Sequence, residues 1–213
     1  SSLAVPVLAL EQAHREIMRM TGIVRDQLSR SLEVLAQPDE EAVDAIIAED
    51  DKLDILEKSI RPFLAKVARS RLDPDESAKE HAFIYVVQDL EGIGDVLSKE
   101  IAPAAGKLAA RGMAFSPDGL LELQQYGSKV LDKFDRISQA VETSDRGLAE
   151  QTIQLGFKER VLERRLREAH LERLHNERKE TVETSALHLS VLNNLTAVSN
   201  RLEAIARTLL VEL

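Results

Sequence analysis

The chain has 213 residues, which is enough for one large domain or two small ones with a real core. With 44% hydrophobic and 31% charged residues, its composition excludes a disordered tail and a membrane-embedded chain. The net charge of −9 argues against a nucleic-acid binder, and the absence of cysteine rules out disulfides and thiolate metal sites.

Helix-breaking residues divide the chain into about six segments, and the scarcity of aromatic residues favours helices over strands. The breaks fall at residues 37–39, 72–75, 103–112, 116–119 and 144–147, with a weaker polar break at 176–184. Ser77 with Glu80 predicts a capping box at the start of the third segment. Ser116 followed by Pro117 predicts a second capped start.

The apolar residues inside these segments recur every three or four positions, which is the spacing of one helix face. The first two segments carry Ile17, Thr21, Val24, Leu28, Leu32 and Leu35, then Ile46, Leu53, Leu56, Ile60, Leu64 and Val67. Sustained over long segments that short polar connections join, this spacing predicts antiparallel helices packed side by side.

No apolar run approaches the roughly 18 residues that a bilayer requires, so we expect a soluble chain. The chain begins with Ser1, Ser2 and Leu3 and lacks an initiator Met. We therefore expect its N-terminus to be a cut made in a longer protein.

The two halves of the chain resemble each other. Residues 89–95 (DLEGIGD) align with residues 194–200 (NLTAVSN), about 105 positions later. Each half contains a helix, a long charged helix, a short polar break and a more apolar helix. This self-similarity predicts an all-α fold, a six-helix bundle built from two three-helix repeats at residues 1–108 and 109–213.

Two rows of carboxylates are the most unusual feature of the sequence. Asp50 and Asp54 lie four residues apart on the second helix with Glu57 next in the row, and Glu91 and Asp95 lie four apart on the third. Like charges at this spacing repel each other unless a cation lies between them. Two such helices packed together would converge several carboxylates, which suits a divalent metal or iron.

A solvated acidic face is the alternative explanation for these rows. Such spacing is common in charged helices, and Lys52, Lys58 and Arg61 lie close enough in sequence to pair with the acidic residues. The spacing alone favours this alternative over a metal site.

The five histidines give no metal motif. No HExxH sequence occurs, and His170 and His175 do not share a helix face. We expect the histidines to be surface or interhelix hydrogen-bond partners, and we expect His188 to be semi-buried. The sequence also lacks a nucleotide-binding loop and a Ser/His/Asp arrangement, so we predict that the chain is not an enzyme and has no catalytic residues.

Several stretches resemble a known family. Residues 89–95 resemble the D-L-E-R-I-G-D signature of PhoU-type proteins, with Gly92 where the family has Arg, and residues 50–54 (DDKLD) resemble the matching acidic motif. Two longer stretches resemble the PhoU-like tail of sodium/phosphate cotransporters. They are residues 6–10 (PVLAL) with 15–20 (REIMRM), and residues 170–174 (HLERL) with 183–189 (ETSALHL). The resemblance covers nearly the whole chain.

The resemblance implies a PhoU-like bundle of two repeats and a set of metal ligands in its first half. Some family members carry metal clusters on these acidic motifs. Matched residue by residue, the resemblance implies Asp50, Asp54, Glu91 and Asp95 as ligands of a divalent metal or iron.

The second half departs from the family pattern. Thr196 and Asn200 stand where Glu and Asp are expected, and Glu159 with Glu163 only loosely replaces the other pair. Neutral side chains bind hard cations less well than carboxylates do. We therefore predict no second metal cluster.

The resemblance also implies a function. It implies a cytosolic regulatory domain of a sodium-dependent phosphate transporter, on the cytoplasmic side of the membrane, that modulates phosphate uptake. Its partner would be the membrane transport domain of the same polypeptide, and a homodimer is a further candidate assembly.

Two other functions stay open. One is a free-standing PhoU-type regulator that docks on a phosphate ABC transporter or a sensor kinase. The other is a metal-storage or di-iron helical bundle, which requires Glu-x-x-His pairs on facing helices, and no such pair occurs at a convincing position.

Overall fold

The computed structural model describes residues 4–176 and 179–212, and these contain no strand. The helices are α1 (Ala4–Ala36), α2 (Glu40–Ala48), α3 (Asp50–Val67), α4 (Pro74–Val96), α5 (Ala102–Ala110), α6 (Pro117–Thr143), α7 (Arg146–His175) and α8 (Lys179–Glu212), with a π-helical segment at Leu97–Ile101. None of the helices in this part of the chain is long and apolar enough to cross a membrane. Residues 1–3, on which the expected N-terminal cut rests, lie outside the described residues.

Polar caps begin four of the helices. The side chain of each cap accepts a hydrogen bond from a backbone N–H three residues later, and the caps are Asp39, Asp73, Ser116 and Asp145. The predicted start at Ser116 is confirmed. The predicted box of Ser77 and Glu80 is wrong, because Asp73 and Glu76 form the reciprocal box one turn earlier and leave Glu80 buried inside α4.

The chain stays helical through Pro103, where we expected a break. Proline inside an α-helix removes one backbone hydrogen bond and its ring crowds the preceding turn. The π-helical segment directly before it widens that turn, and the N–H of Ala102 donates to the carbonyl of Leu97, five residues back. The chain turns only at Arg111 and Gly112, where φ of +59° at Gly112 is a left-handed conformation that glycine adopts without strain.

The helices pack as two sets of three. Helices α1, α3 and α4 pack together, as do α6, α7 and α8, and the short α2 packs on α5. The predicted second helix is bent, since it divides at Glu49 into α2 and α3. With α2–α3 and α4–α5 each counted as one bent helix, the predicted all-α six-helix bundle is confirmed.

One apolar core runs through both sets, because α1 packs against α6 and α4 packs against α8. Both predicted apolar faces are buried except at Leu32, which is partly buried. Leu32 lies directly on Gly127, where an added Cβ would come within 2.4 Å of its Cδ2 atom. Glycine at position 127 therefore allows α1 and α6 to approach closely. The predicted boundary between two repeats at residue 108 stays a prediction.

Candidate functional site

The predicted ligands lie at the seam between α3 and α4. We define this acidic seam as Asp50, Asp54 and Glu57 of α3 with Glu91 and Asp95 of α4, all of them half-buried. Burial raises the pKa of Glu91, and the charges of Asp95, Glu57 and Asp54 act in the same direction. Carboxylates of both helices therefore lie close enough to Glu91 for their charges to act on it. The structure therefore brings the two predicted rows together.

Basic side chains on α3 pair with the acidic seam. Lys58 Nζ donates to Asp54 Oδ2 at 2.8 Å, and Arg61 donates to Glu57 Oε1 at 2.7 Å, each one helical turn away. The hydrogen bond from Lys58 is the main cause of a lowered pKa at Asp54. These pairs are exposed and correspond to the solvated acidic face that we kept as the alternative.

Lys99, in the π-helical segment, links the two rows. Its ammonium pairs with Asp95 on α4 and lies 3.7 Å from Asp50 Oδ2 on α3. A side-chain cation thus lies between carboxylates of the two helices and reduces their repulsion.

The acidic seam has the donor chemistry for a metal, but side-chain cations pair with its carboxylates. Carboxylate oxygens suit hard cations and iron. In the described part of the chain, however, the group whose three potential ligand atoms lie within 4.8 Å of one another is not the acidic seam but a group in the second half. A cation at the seam would have to displace the ammonium groups of Lys58 and Lys99. The assignment of Asp50, Asp54, Glu91 and Asp95 as ligands therefore stays a prediction.

The arginine that the family has at position 92 is supplied here by another helix. The guanidinium of Arg201 on α8 lies over Gly92, where an added Cβ would come within 2.3 Å of its Cζ atom. From there Arg201 Nη1 donates to Asp89 Oδ1 at 3.3 Å. Burial raises the pKa of Asp89, and the charge of Arg201 opposes that rise. The glycine and the distant arginine together place a guanidinium beside the acidic motif.

The matching positions of the second half make contacts within the protein. The hydroxyl of Thr196 donates to the carbonyl of Leu192 at 2.9 Å, and Asn200 is exposed. Glu163 pairs with Arg167 on its own helix, whereas Glu159 points into the core. Thr196, Glu163 and Glu159 thus each have a partner within the protein.

A buried lysine occupies the centre of the second half. Lys133 on α6 is fully buried, and its Nζ donates to Ser199 Oγ at 2.7 Å and to Glu203 Oε1 at 3.0 Å, both on α8. Its third partner is the carboxylate of Glu159 on α7. Arg160 also donates to Glu203, at 3.1 Å. One ammonium therefore joins three helices through charge-assisted hydrogen bonds. Sequence reasoning missed it because the partners lie on other helices.

Three histidines make hydrogen bonds, as predicted: His14, His170 and His188. Nε2 of His14 lies 3.0 Å from the carbonyl of Val141, and that of His188 lies 3.2 Å from the carbonyl of Gly119. His170 is buried beside His188, and its Nε2 lies 2.9 Å from the hydroxyl of Ser185 on α8. The two residues are on different helices, so no spacing within one helix could have indicated the contact.

Comparison with known proteins agrees with this architecture. Residues 17–102 match the family model for the PhoU domain. Over 212 residues the chain is 28% identical to the "Putative inorganic phosphate export protein YjbB" of Salmonella typhimurium and of Escherichia coli K12. These matches cover 99% of this chain but 38% of the relatives, so the chain spans well under half of their length.

Two crystal structures share the fold. PhoU from Pseudomonas aeruginosa superposes with a TM-score of 0.88 at 21% identity, covering 95% of this chain and 96% of that protein. The phosphate transport system regulatory protein PhoU from Streptococcus pneumoniae gives 0.84 at 18% identity, with 96% and 95% covered. The resemblance to PhoU-type proteins is thus confirmed over residues 17–102, which match the PhoU domain model, and the chain has the fold of these two PhoU structures over nearly its whole length.

Proposed function

We propose that this chain is a regulatory module for the transport of inorganic phosphate across a membrane. The observation that carries the proposal is the PhoU match, in family over residues 17–102 and in fold over nearly the whole chain. The named roles of the relatives agree, since one is a phosphate transport system regulatory protein and others are named for phosphate export. Such a module would act through helix packing and charged surfaces, without catalysis.

The first arrangement that we propose is a regulator that docks on a separate phosphate transport system. It is supported by the two PhoU structures, because this chain and theirs match over almost their full lengths. In this arrangement the chain would act from the cytoplasmic side of the membrane.

The second arrangement is a domain joined to a membrane transport domain in one polypeptide, as the cotransporter resemblance implies. The curated relatives support it, because their remaining length leaves room for further domains. Their name refers to export, so efflux as well as the uptake inferred from the sequence has to be measured. Dependence on sodium is part of this second arrangement.

Phosphate flux tests the proposal. In cells that carry the parent gene, we would delete the segment that encodes this chain and follow labelled phosphate in both directions, with and without sodium. The expected result is a changed flux that the restored segment reverses. The restored segment with Glu150→Gln, a change at an exposed position of α7, should reverse it equally well. Unchanged influx and efflux after deletion would remove the proposal.

We also propose that the acidic seam holds a divalent metal or iron in the intact system. Its support is the convergence of half-buried carboxylates from α3 and α4 and the raised pKa of Glu91. Elemental analysis of the purified chain tests it, with Asp54→Ala and Glu91→Ala as variants and Glu150→Gln as the control. Stoichiometric metal that both variants lose would support the site, and metal that both retain would place it elsewhere.

A further inference from the structure

A second group of potential ligands lies in the second half, away from the acidic seam. Glu122 on α6, His170 on α7 and His188 on α8 each offer one ligand atom, and these atoms lie within 4.8 Å of one another. Their exposed fractions are 7%, 2% and 1%. Three buried side chains from three helices thus converge on one point.

Each imidazole has one nitrogen engaged and one without a partner. His188 Nε2 lies 3.2 Å from the carbonyl oxygen of Gly119, which can only accept, so this nitrogen carries the proton. His170 Nε2 bonds the hydroxyl of Ser185 at 2.9 Å. The Nδ1 atoms of both histidines are buried and have no hydrogen-bond partner. A buried polar atom left unpaired is energetically unfavourable, because it has lost its hydrogen bonds to water.

The ring of His170 is in the protonation state that a metal needs. The rings of His170 and His188 stack with their centroids 4.0 Å apart and 5° between their planes, an arrangement in which two imidazolium rings would repel each other. Burial, with the charges of His188 and Arg173, lowers the pKa of His170 to about 4. At neutral pH His170 is therefore uncharged and keeps a free lone pair.

Glu122 is held ionised and in a fixed orientation. Arg173 donates to both of its carboxylate oxygens at 2.6 Å, and His188 Nε2 lies 3.3 Å from Oε2. Burial acts to raise the pKa of Glu122, but the hydrogen bonds from His188 and Arg173 outweigh it and hold the pKa below its usual value. Carboxylate oxygens have several lone pairs, so the bidentate pair with Arg173 leaves room for a further ligand bond.

We propose that Glu122, His170 and His188 form a Zn²⁺ site that ties α6, α7 and α8 together. Two imidazole nitrogens and one carboxylate oxygen are a donor set that zinc takes in proteins, and imidazole selects against magnesium and calcium. Each histidine would bind through one ring nitrogen while the other keeps a hydrogen bond within the protein. Ligating histidines usually hold their second nitrogen in this way.

Metal titration of the whole chain tests the site. Zn²⁺ and, as a spectroscopic probe, Co²⁺ are titrated into chelator-treated wild type and into His170→Gln, His188→Gln and Glu122→Gln. We expect one equivalent per chain with Co²⁺ bands typical of a low coordination number, and a loss of affinity of about tenfold or more in each variant. His175→Gln is the matched control, because His175 is exposed and lies on the same helix as His170.

Two further measurements keep the test decisive. Asp54→Ala should leave this binding unchanged, which separates the site from the acidic seam. Thermal melts with and without Zn²⁺ show whether each variant folds, and Zn²⁺ should raise Tm in the wild type and in His175→Gln but not in His170→Gln. Wild type that binds no Zn²⁺ at equimolar concentration would overturn the proposal. Folded His170→Gln and His188→Gln chains that bind it as tightly as wild type would do the same.

Discussion

At the scale of single residues, Lys133 shows how the fold handles a buried charge. Lysine is almost never fully buried unless it is paired, and here Glu159 and Glu203 face its ammonium from two different helices. Pairs of this kind add little over an apolar core, but removal of one partner leaves uncompensated charge in a region of low dielectric. The contact therefore specifies how α6, α7 and α8 pack more than it stabilises them.

Lys133→Met should strongly destabilise the chain. The substitution keeps the apolar stem but leaves Glu159 without its cation, so the free energy of unfolding should fall by about 3–5 kcal/mol. Urea denaturation measures this change. Lys129→Met, one turn earlier at an exposed position of α6, is the control and should change stability by less than about 0.5 kcal/mol. Similar midpoints for the two variants would contradict the proposed role of the buried ammonium.

Glu80 is a buried carboxyl that should weaken the fold at neutral pH. It is 2% exposed, its Oε1 has no hydrogen-bond partner, and burial raises its pKa while His81 opposes the rise. Because the folded pKa lies above the unfolded value of 4.5, the folded state holds the proton more tightly. The penalty is absent below pH 4.5 and grows as the pH rises through the folded pKa.

Glu80→Gln should therefore raise the free energy of unfolding at pH 7 by on the order of 1 kcal/mol, because the neutral amide is cheaper to bury than the charge. The gain should disappear when denaturation is repeated below pH 4.5. Glu76→Gln changes a carboxyl on the same helix whose side chain takes part in the cap, and it should not stabilise the chain. A gain for Glu80→Gln that is independent of pH would show that burial of charge is not its cause.

At the scale of helices, small residues set how closely neighbours approach. Gly94 on α4 faces Leu53 on α3, and an added Cβ would come within 2.4 Å of its Cδ1 atom. Gly22 on α1 is exposed, and nothing lies within 4 Å of the position that a Cβ would take. Glycine is thus needed for close packing at position 94, whereas at position 22 it only lowers the helix propensity.

This contrast predicts opposite effects for one substitution. Gly22→Ala should stabilise the chain by up to about 1 kcal/mol, the difference in helix propensity. Gly94→Ala should destabilise it by about 1–3 kcal/mol, since Leu53 and the α3–α4 spacing must shift to admit the methyl group. Chemical denaturation of both variants and of Gly94→Ala with Leu53→Ala measures this. The double variant should lose less than the sum of its single changes, and strict additivity would argue against the contact.

At the scale of the whole molecule, the two repeats differ in what fills their centres. Gln27 and Lys133 are both fully buried, and they lie about 105 residues apart, which is the offset between the two repeats. Gly94 and Ser199 are separated by the same offset. The first repeat has a neutral amide at this place, and the cations at its acidic seam are exposed. The second repeat has an internal ammonium instead.

The fold was predictable from the sequence because helix faces and breaks are local properties. The apolar period of α1 and α3 and the cap at Ser116 indicated the bundle directly. The site was predictable only in part. Contacts between residues distant in sequence, such as Arg201 over Gly92, depend on side chains that tertiary packing brings together. No spacing rule within one helix contains that information, and the same holds for the histidine stack.

The continuous core predicts that both repeats unfold together. Contacts of α1 with α6 and of α4 with α8 join the two repeats. Unfolding of one repeat would therefore expose apolar side chains of the other to water. The chain has two tyrosines and no tryptophan, and Tyr85 lies in the first repeat while Tyr126 lies in the second. Tyr126→Phe leaves a fluorescence probe on α4, and Tyr85→Phe leaves one on α6. In each variant the urea midpoint from fluorescence should equal that from far-UV circular dichroism, because a single transition removes both. The repeats unfold separately if the fluorescence midpoint lies above the dichroism midpoint in one variant and below it in the other. The contacts across α1–α6 and α4–α8 would then be too weak to couple the repeats.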